Sequence, residues 1–153
     1  MTSAAHTRLD AIDEIAHDIP EQIWRLSRLF WRRQQPEISR TEAGLLDSLA
    51  DGPRRITELA DLEGIAQPTV TLLVGRLEQR GLVSRERDPV DGRAVRVTAT
   101  LRGAEALDRL RTETRAMMRE HIAAMSDDDV GSLIDATQAL GALVDAVQRG
   151  SER

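Results

Sequence analysis

The chain has no cysteine, which excludes disulfides, thiol nucleophiles, thiolate zinc sites and cysteine redox sensing. It has no lysine either, so all 21 basic residues are arginine. Genome base composition is a sufficient cause of that bias, and it carries no functional reading. The only aromatic residues are Trp24, Phe30 and Trp31. No apolar run approaches the roughly 18 residues that a membrane span needs, so no membrane is expected as a partner. Met1 to Asp10 lacks the basic start and apolar middle of a signal peptide, and a cytoplasmic location is the expectation. No nucleophile–base–acid set and no phosphate-cradling glycine loop is present, since Gly92 and Gly103 are isolated turn residues. An enzyme is therefore not expected, and neither is a cofactor.

What remains is a 153-residue chain, 41% apolar and 31% charged, with room for one domain spanning 1–153. Its net charge is −5. From Pro53 to Arg102 there are nine arginines against seven acids, or +2, and the rest carries twelve against nineteen, or −7. A mildly basic middle between acidic flanks points to a polyanion-facing centre.

Helical periodicity dominates both ends. Over 7–34, Ile12, Ile15, Ala16, Ile19, Ile23, Leu26 and Phe30 recur at three- and four-residue steps on one face of one long helix or two shorter ones. Pro20 lies inside the pattern and predicts a bend near Asp18 to Pro20. Thr41 is a candidate cap for a second helix burying Leu45, Leu46 and Leu49 and stopping at Asp51-Gly52-Pro53. Thr57 is a candidate cap for a short third helix with Leu59 and Leu62, broken at Gly64. A fourth helix runs from about Gln67 to Arg80 on a core stripe of Val70, Leu73, Val74 and Leu77, and Gly81 ends it.

The next segment changes period. Leu82-Val83-Ser84-Arg85 and Ala94-Val95-Arg96-Val97-Thr98 read as short strands around a turn-rich tip, Arg87-Asp88-Pro89-Val90-Asp91-Gly92-Arg93. Thr100 is a candidate cap for a fifth helix through Leu107, Leu110, Met117 and Ile122. Ser126 before Asp127, Asp128 and Asp129 marks a sixth, since the hydroxyl can accept orphan backbone bonds and the acids suit the helix dipole. That helix is expected to bury Val130, Leu133, Ile134, Leu140, Val144 and Val147, with Thr137 on the same stripe bonding back to the preceding turn.

Helix, short turn, helix and hairpin make a winged helix-turn-helix, mainly α with a small β-hairpin wing. The second helix of such a pair is wide enough to fill a DNA major groove. Gln67, Pro68, Thr69, Thr71 and Arg76 fall off its core stripe. Gln67 can pair with an adenine edge, Pro68 can pack on a thymine methyl, and Arg76 can reach guanine or phosphate. In the wing, Asp88 and Asp91 flank a turn presenting Arg93, whose guanidinium suits an adjacent minor groove. Arg85, Arg87 and Arg96 supply phosphate contacts.

On these residues the chain resembles the MarR (multiple antibiotic resistance regulator) family. The likeness is carried by Ile56-Thr57-Glu58-Leu59-Ala60, Pro68-Thr69-Val70-Thr71, Arg76-Leu77-Glu78-Gln79-Arg80-Gly81-Leu82-Val83, Arg85, the wing run from Asp88 to Arg93, Val97-Thr98 and Gly103. Three positions depart from the family pattern: Leu72, often polar or basic; Gly75, often acidic; and Ala99-Thr100, commonly Leu-Thr. The resemblance implies a homodimer with interlocking terminal helices on a pseudo-palindromic operator in double-stranded DNA. It also implies transcriptional control, as a repressor, released by a small aromatic or anionic ligand. The DNA-binding lobe then spans 41–102, and the dimerisation helices span 7–34 and 103–149.

Two rival readings stay open on sequence alone: a protein-interaction module that keeps the fold without DNA binding, and a constitutive regulator without a ligand. Trp24, Arg28 and Trp31 are candidates for an aromatic carboxylate site, although buried aromatics are first of all formers of a core or dimer contact. Asp13 and His17 are spaced for a metal, but His6 and His121 add no ligand at metal spacing, so no metal site is expected.

Overall fold

The computed structural model describes residues 2–34, 36–88 and 94–151. The chain forms two compact units, divided between Thr112 and Glu113. The first contains α1 (Thr2–Gln34), α2 (Arg40–Ser48), β1 (Arg54–Arg55), α3 (Ile56–Glu63), α4 (Gln67–Gln79), β2 (Val83–Arg87), β3 (Val95–Ala99) and the start of α5 (Leu101–Ile122). The second holds the rest of α5 and α6 (Asp127–Ser151). This is the mainly helical winged helix-turn-helix that the sequence predicts.

Three starts differ from the sequence expectation. Ser39, not Thr41, caps α2: its Oγ accepts from the Glu42 N–H at 3.3 Å, and Glu42 Oε2 accepts from the Ser39 N–H at 2.7 Å. This reciprocal box satisfies two orphan donors, which a lone threonine cannot do. α3 begins one residue after Arg55, so Thr57 lies inside its first turn rather than capping it. Glu58 Oε2 accepts from the Arg55 N–H at 2.7 Å. The third difference is that Arg54 and Arg55 form a two-residue strand, giving a sheet ordered β1-β3-β2 instead of a bare hairpin. Both pairings are antiparallel, with Arg54 opposite Val97 and Val83 opposite Ala99.

Other starts are as expected. Thr100 Oγ1 accepts from the Gly103 N–H at 3.1 Å and donates to the Gly81 carbonyl at 2.7 Å. Ser126 Oγ accepts from the Asp129 N–H at 3.2 Å. The Thr137 hydroxyl donates back to the Leu133 carbonyl at 2.7 Å. Helix α1 continues through Pro20 without interruption, so the helical assignment does not break there.

One core serves the first unit. Leu45, Leu46 and Leu49 of α2, Leu59 of α3, Val70, Val74 and Leu77 of α4, and Leu82, Val83 and Val97 of the sheet are all buried, with Ala106 and Leu107 of α5. Leu62, placed beside Leu59 in the sequence reading, is instead 57% exposed.

The long helices contribute little to this core. Ile12, Ile15, Ile23 and Leu26 on the predicted stripe of α1 are exposed, and Ile19 and Phe30 are half-buried. On α6 the expected burial is also not met: Leu133, Ile134, Leu140, Val144 and Val147 are exposed and Val130 is half-buried. The periodicity is real, but among the described residues these faces stand largely exposed. By length and composition alone, Asp127–Gly150 of α6 is apolar enough to cross a membrane, although Asp135 and Asp145 interrupt it.

The tightest joint lies where α5 leaves the sheet. A Cβ built on Gly103 would stand 2.0 Å from the Leu82 carbonyl oxygen and 3.1 Å from Leu46 Cδ2. The same carbonyl accepts from the Thr100 N–H at 3.0 Å. Only glycine lets the helix start so close to the strand. Gly103→Ala should therefore cost about 1–3 kcal/mol, the usual penalty of overpacking. The check is urea unfolding, read as a lower midpoint with an unchanged slope. An unshifted midpoint would show that this contact is not tight.

Candidate nucleic-acid interface

The helix pair is set by a short turn. Gly64 has φ +63, a left-handed conformation, and caps α3. The Ile65 N–H donates to the Ala60 carbonyl at 3.1 Å, so the chain reverses within three residues and starts α4 at Gln67. Pro68 sits in the first turn, where its missing donor costs nothing.

Burial of Val70, Val74 and Leu77 at 0% exposure fixes the rotation of α4. The opposite face is then forced outward. Gln67, Pro68, Thr69, Thr71 and Arg76 are not part of the buried core, and all five are exposed. The Thr71 hydroxyl donates to the Gln67 carbonyl at 2.9 Å, which leaves it only as an acceptor towards anything outside. Arg76 makes no ion pair among the described residues.

A clamp holds the C-terminal end of α4. Arg80 donates to Glu42 Oε1 at 3.0 Å and to the Glu37 carbonyl at 2.7 Å. Glu42 is buried, so this pair locks α4 to the start of α2 rather than presenting Arg80 as a solvated residue. Arg109 reaches Glu37 at 3.1 Å, tying α5 to the same point.

Arg85 and Arg87 are exposed on β2, and Arg96 is half-buried on β3, donating to the Pro53 carbonyl at 3.3 Å. Arg85 is not isolated: its Nε donates to Glu78 Oε2 at 2.7 Å, and its Nη2 meets the same oxygen. This two-pronged pair joins α4 to the wing. The Arg85 hydrogen bond, opposed by desolvation and aided by the arginine's charge, holds the Glu78 carboxyl below its ordinary 4.5, and the same hydrogen bond raises the arginine's own pKa.

The wing base has a partner that sequence reading did not supply. Arg55 Nε donates to Asp88 Oδ2 at 2.8 Å, and the Asp88 side chain is almost fully buried. The two lie 33 positions apart, so no local spacing signals them. Asp88 thus braces the wing against β1, and its N–H bonds the Ala94 carbonyl at 2.9 Å. Asp91 and Arg93, predicted at the tip, lie outside the described residues.

Away from this surface, Trp24 is 68% exposed, with the Arg40 guanidinium 5.6 Å from its ring centroid. Arg28, one turn on, is exposed and Trp31 is half-buried.

Residues 38–95 match the MarR family. An uncharacterized HTH-type transcriptional regulator of Mycobacterium leprae is 30% identical over 90% of this chain and 97% of its own length. The chain belongs to the MarR family. A second relative, the HTH-type transcriptional repressor NicR of Pseudomonas putida, is 32% identical over 63% of this chain and 68% of its own length. The fold matches that of a mutant MarR of Escherichia coli, with a TM-score of 0.71 and 21% identity over 82% of this chain and 95% of the other. As a MarR-family member, the protein is a DNA-binding transcriptional regulator.

The Glu78–Arg85 pair sets a pH dependence with a definite sign. A carboxyl whose folded pKa is depressed stabilises the fold above its unfolded value, and that contribution disappears as pH falls through the folded value. Wild type should therefore lose more stability than Glu78→Gln as pH drops below 4.5. Thermal midpoints measured across the acid range check this, and parallel curves would show that the pair does not persist in solution.

Proposed function

We propose that the protein is a homodimeric repressor that places one α4 in each of two successive major grooves of a pseudo-palindromic operator. The supporting observation is the rotation of α4. Val70, Val74 and Leu77 are buried, which leaves Gln67, Pro68, Thr69, Thr71 and Arg76 on a face of the size and chemistry a major groove admits. Gln67 pairs with an adenine edge, and Arg76 takes guanine or phosphate. Arg85, Arg87 and Arg96 along the wing take phosphate, and Arg93, oriented with help from Asp91, reaches the minor groove. The protein-interaction alternative is not favoured.

Dimerisation accounts for the uncovered apolar faces. Exposed aliphatic side chains line α1 and α6, and a second copy is the cover that a two-fold DNA site requires. The lobe over 41–102 then binds DNA, and the helices over 7–34 and 103–149 pair the subunits. A pairing role also explains the apolar composition of α6 without a membrane, and a cytoplasmic location follows for a protein that works on DNA. Repression is the sign suggested by NicR, whose name states it.

Release by a small aromatic or anionic ligand is a shift of population. The ligand must bind one spacing of the two recognition helices better than the other. Trp24, Arg28 and Trp31, with Arg40 already over the Trp24 ring, offer an aromatic face and cations for a carboxylate. Tryptophan fluorescence unchanged across a panel of aromatic acids would retire this part and leave a constitutive regulator.

For DNA binding itself, affinity should fall steeply between low and moderate salt as phosphate counterions are released. Arg76→Ala should weaken binding by about 1–3 kcal/mol. Fluorescence anisotropy on labelled duplexes over a salt series measures both. Absence of binding to any duplex at low salt would contradict the proposal.

A further inference from the structure

Three of the four residues of α4 that stand farthest from its buried stripe are not polar. With about 3.6 residues per turn, the positions opposite Val70, Val74 and Leu77 are Pro68, Leu72, Gly75 and Gln79, at steps of four, three and four. Thr71 lies to one side of this crest, and Thr69 and Arg76 lie to the other. Leu72 is 66% exposed and packs on none of the buried core. Exposing an isobutyl group at the centre of a surface that otherwise carries threonine, glutamine and arginine gains nothing for folding. Gly75 is equally unexplained by the fold. It sits inside a helix, where glycine costs about 1 kcal/mol relative to alanine, and nothing stands within 4 Å of where its Cβ would be. Among the described residues, no packing requires the missing side chain.

We infer that Leu72 and Gly75 together form a methyl-reading surface, with Gly75 letting the helix seat close to the duplex and Leu72 contacting the 5-methyl group of a thymine. The inference rests on the proposed entry of α4 into the major groove and deepens it. That groove displays the thymine methyl as its principal apolar feature, and a leucine has no polar atom with which to read anything else there. Glycine is the residue that permits close approach of backbone to a ligand. Two of the three positions that depart from the family pattern thus become a specificity device: hydrogen-bonding residues flank Leu72 and Gly75, and hydrocarbon lies between them.

The test uses the full-length protein and duplexes selected by it from a randomised pool. Each thymine of a selected duplex is replaced in turn by deoxyuridine, which removes only the methyl group. At one position per half-site, wild type should bind about fourfold more weakly, the value of one buried methyl, and Leu72→Ala should bind the thymine and uracil duplexes equally. Gly75→Ala should raise the thermal midpoint by about 2 °C while weakening binding, because the added methyl suits the helix and obstructs the groove. Salt-dependent binding in which no thymine is methyl-sensitive, or in which Leu72→Ala keeps wild-type sensitivity, would overturn the role of Leu72. Gly75→Ala binding as tightly as wild type would overturn the close approach. Recovery of no duplex at low salt would instead overturn the DNA-reading placement of α4 itself, and this inference with it.

Discussion

The burial of one stripe of α4 is the constraint on which the rest depends. Val70, Val74 and Leu77 are sealed into the core shared with α2, α3 and the sheet, so the helix cannot roll, and its far side has one possible direction. Everything proposed about recognition follows from that fixed rotation. The clamps around it are polar and come from several elements. Arg80 ties the end of α4 to Glu42 and Glu37 of the α2 region, and Glu78 ties it to Arg85 of the wing. A groove-reading helix must hold its side chains within fractions of an ångström of productive geometry, and rigid support at both flanks is how a scaffold achieves it.

The arginines divide into two groups by what they face. Arg54, Arg55, Arg80, Arg109 and Arg111 are engaged internally, with Asp51, Asp88, Glu42, Glu37 and Asp47. They assemble the lobe and neutralise much of its acid. Arg76 on α4 and Arg87 on β2 stand outside these pairs.

The fold was largely legible from local signals, and its misses share a physical cause. Thr100 and Ser126 were readable as caps because the cap and its donor lie three residues apart. Ser39 was readable in principle, since Ser-x-x-Glu is a capping box, but Thr41 offered a competing hydroxyl and only the reciprocal bond to Glu42 decides between them. β1 has two residues and no period to detect, and it exists because β3 offers a free edge. The Arg55–Asp88 pair joins residues 33 apart, beyond any sequence window. The periodicity of α1 and α6 correctly located their apolar faces. It could not say whether the cover would lie within a single copy or outside it, since amphipathicity records that a face is shielded and not by which molecule. The candidate site was readable at α4 for the same reason the core was: a helix whose inner stripe is known has its outer face determined.

The central claim is that two copies of α4 occupy successive major grooves on one side of the duplex. Chemical footprinting tests it most directly, with dimethyl sulfate probing guanine N7 in the major groove and hydroxyl radicals probing the backbone. The account predicts two clusters of major-groove protection about one helical turn apart, each flanked outward by minor-groove protection from a wing. A single unpaired cluster, or protection confined to the minor groove, would contradict it.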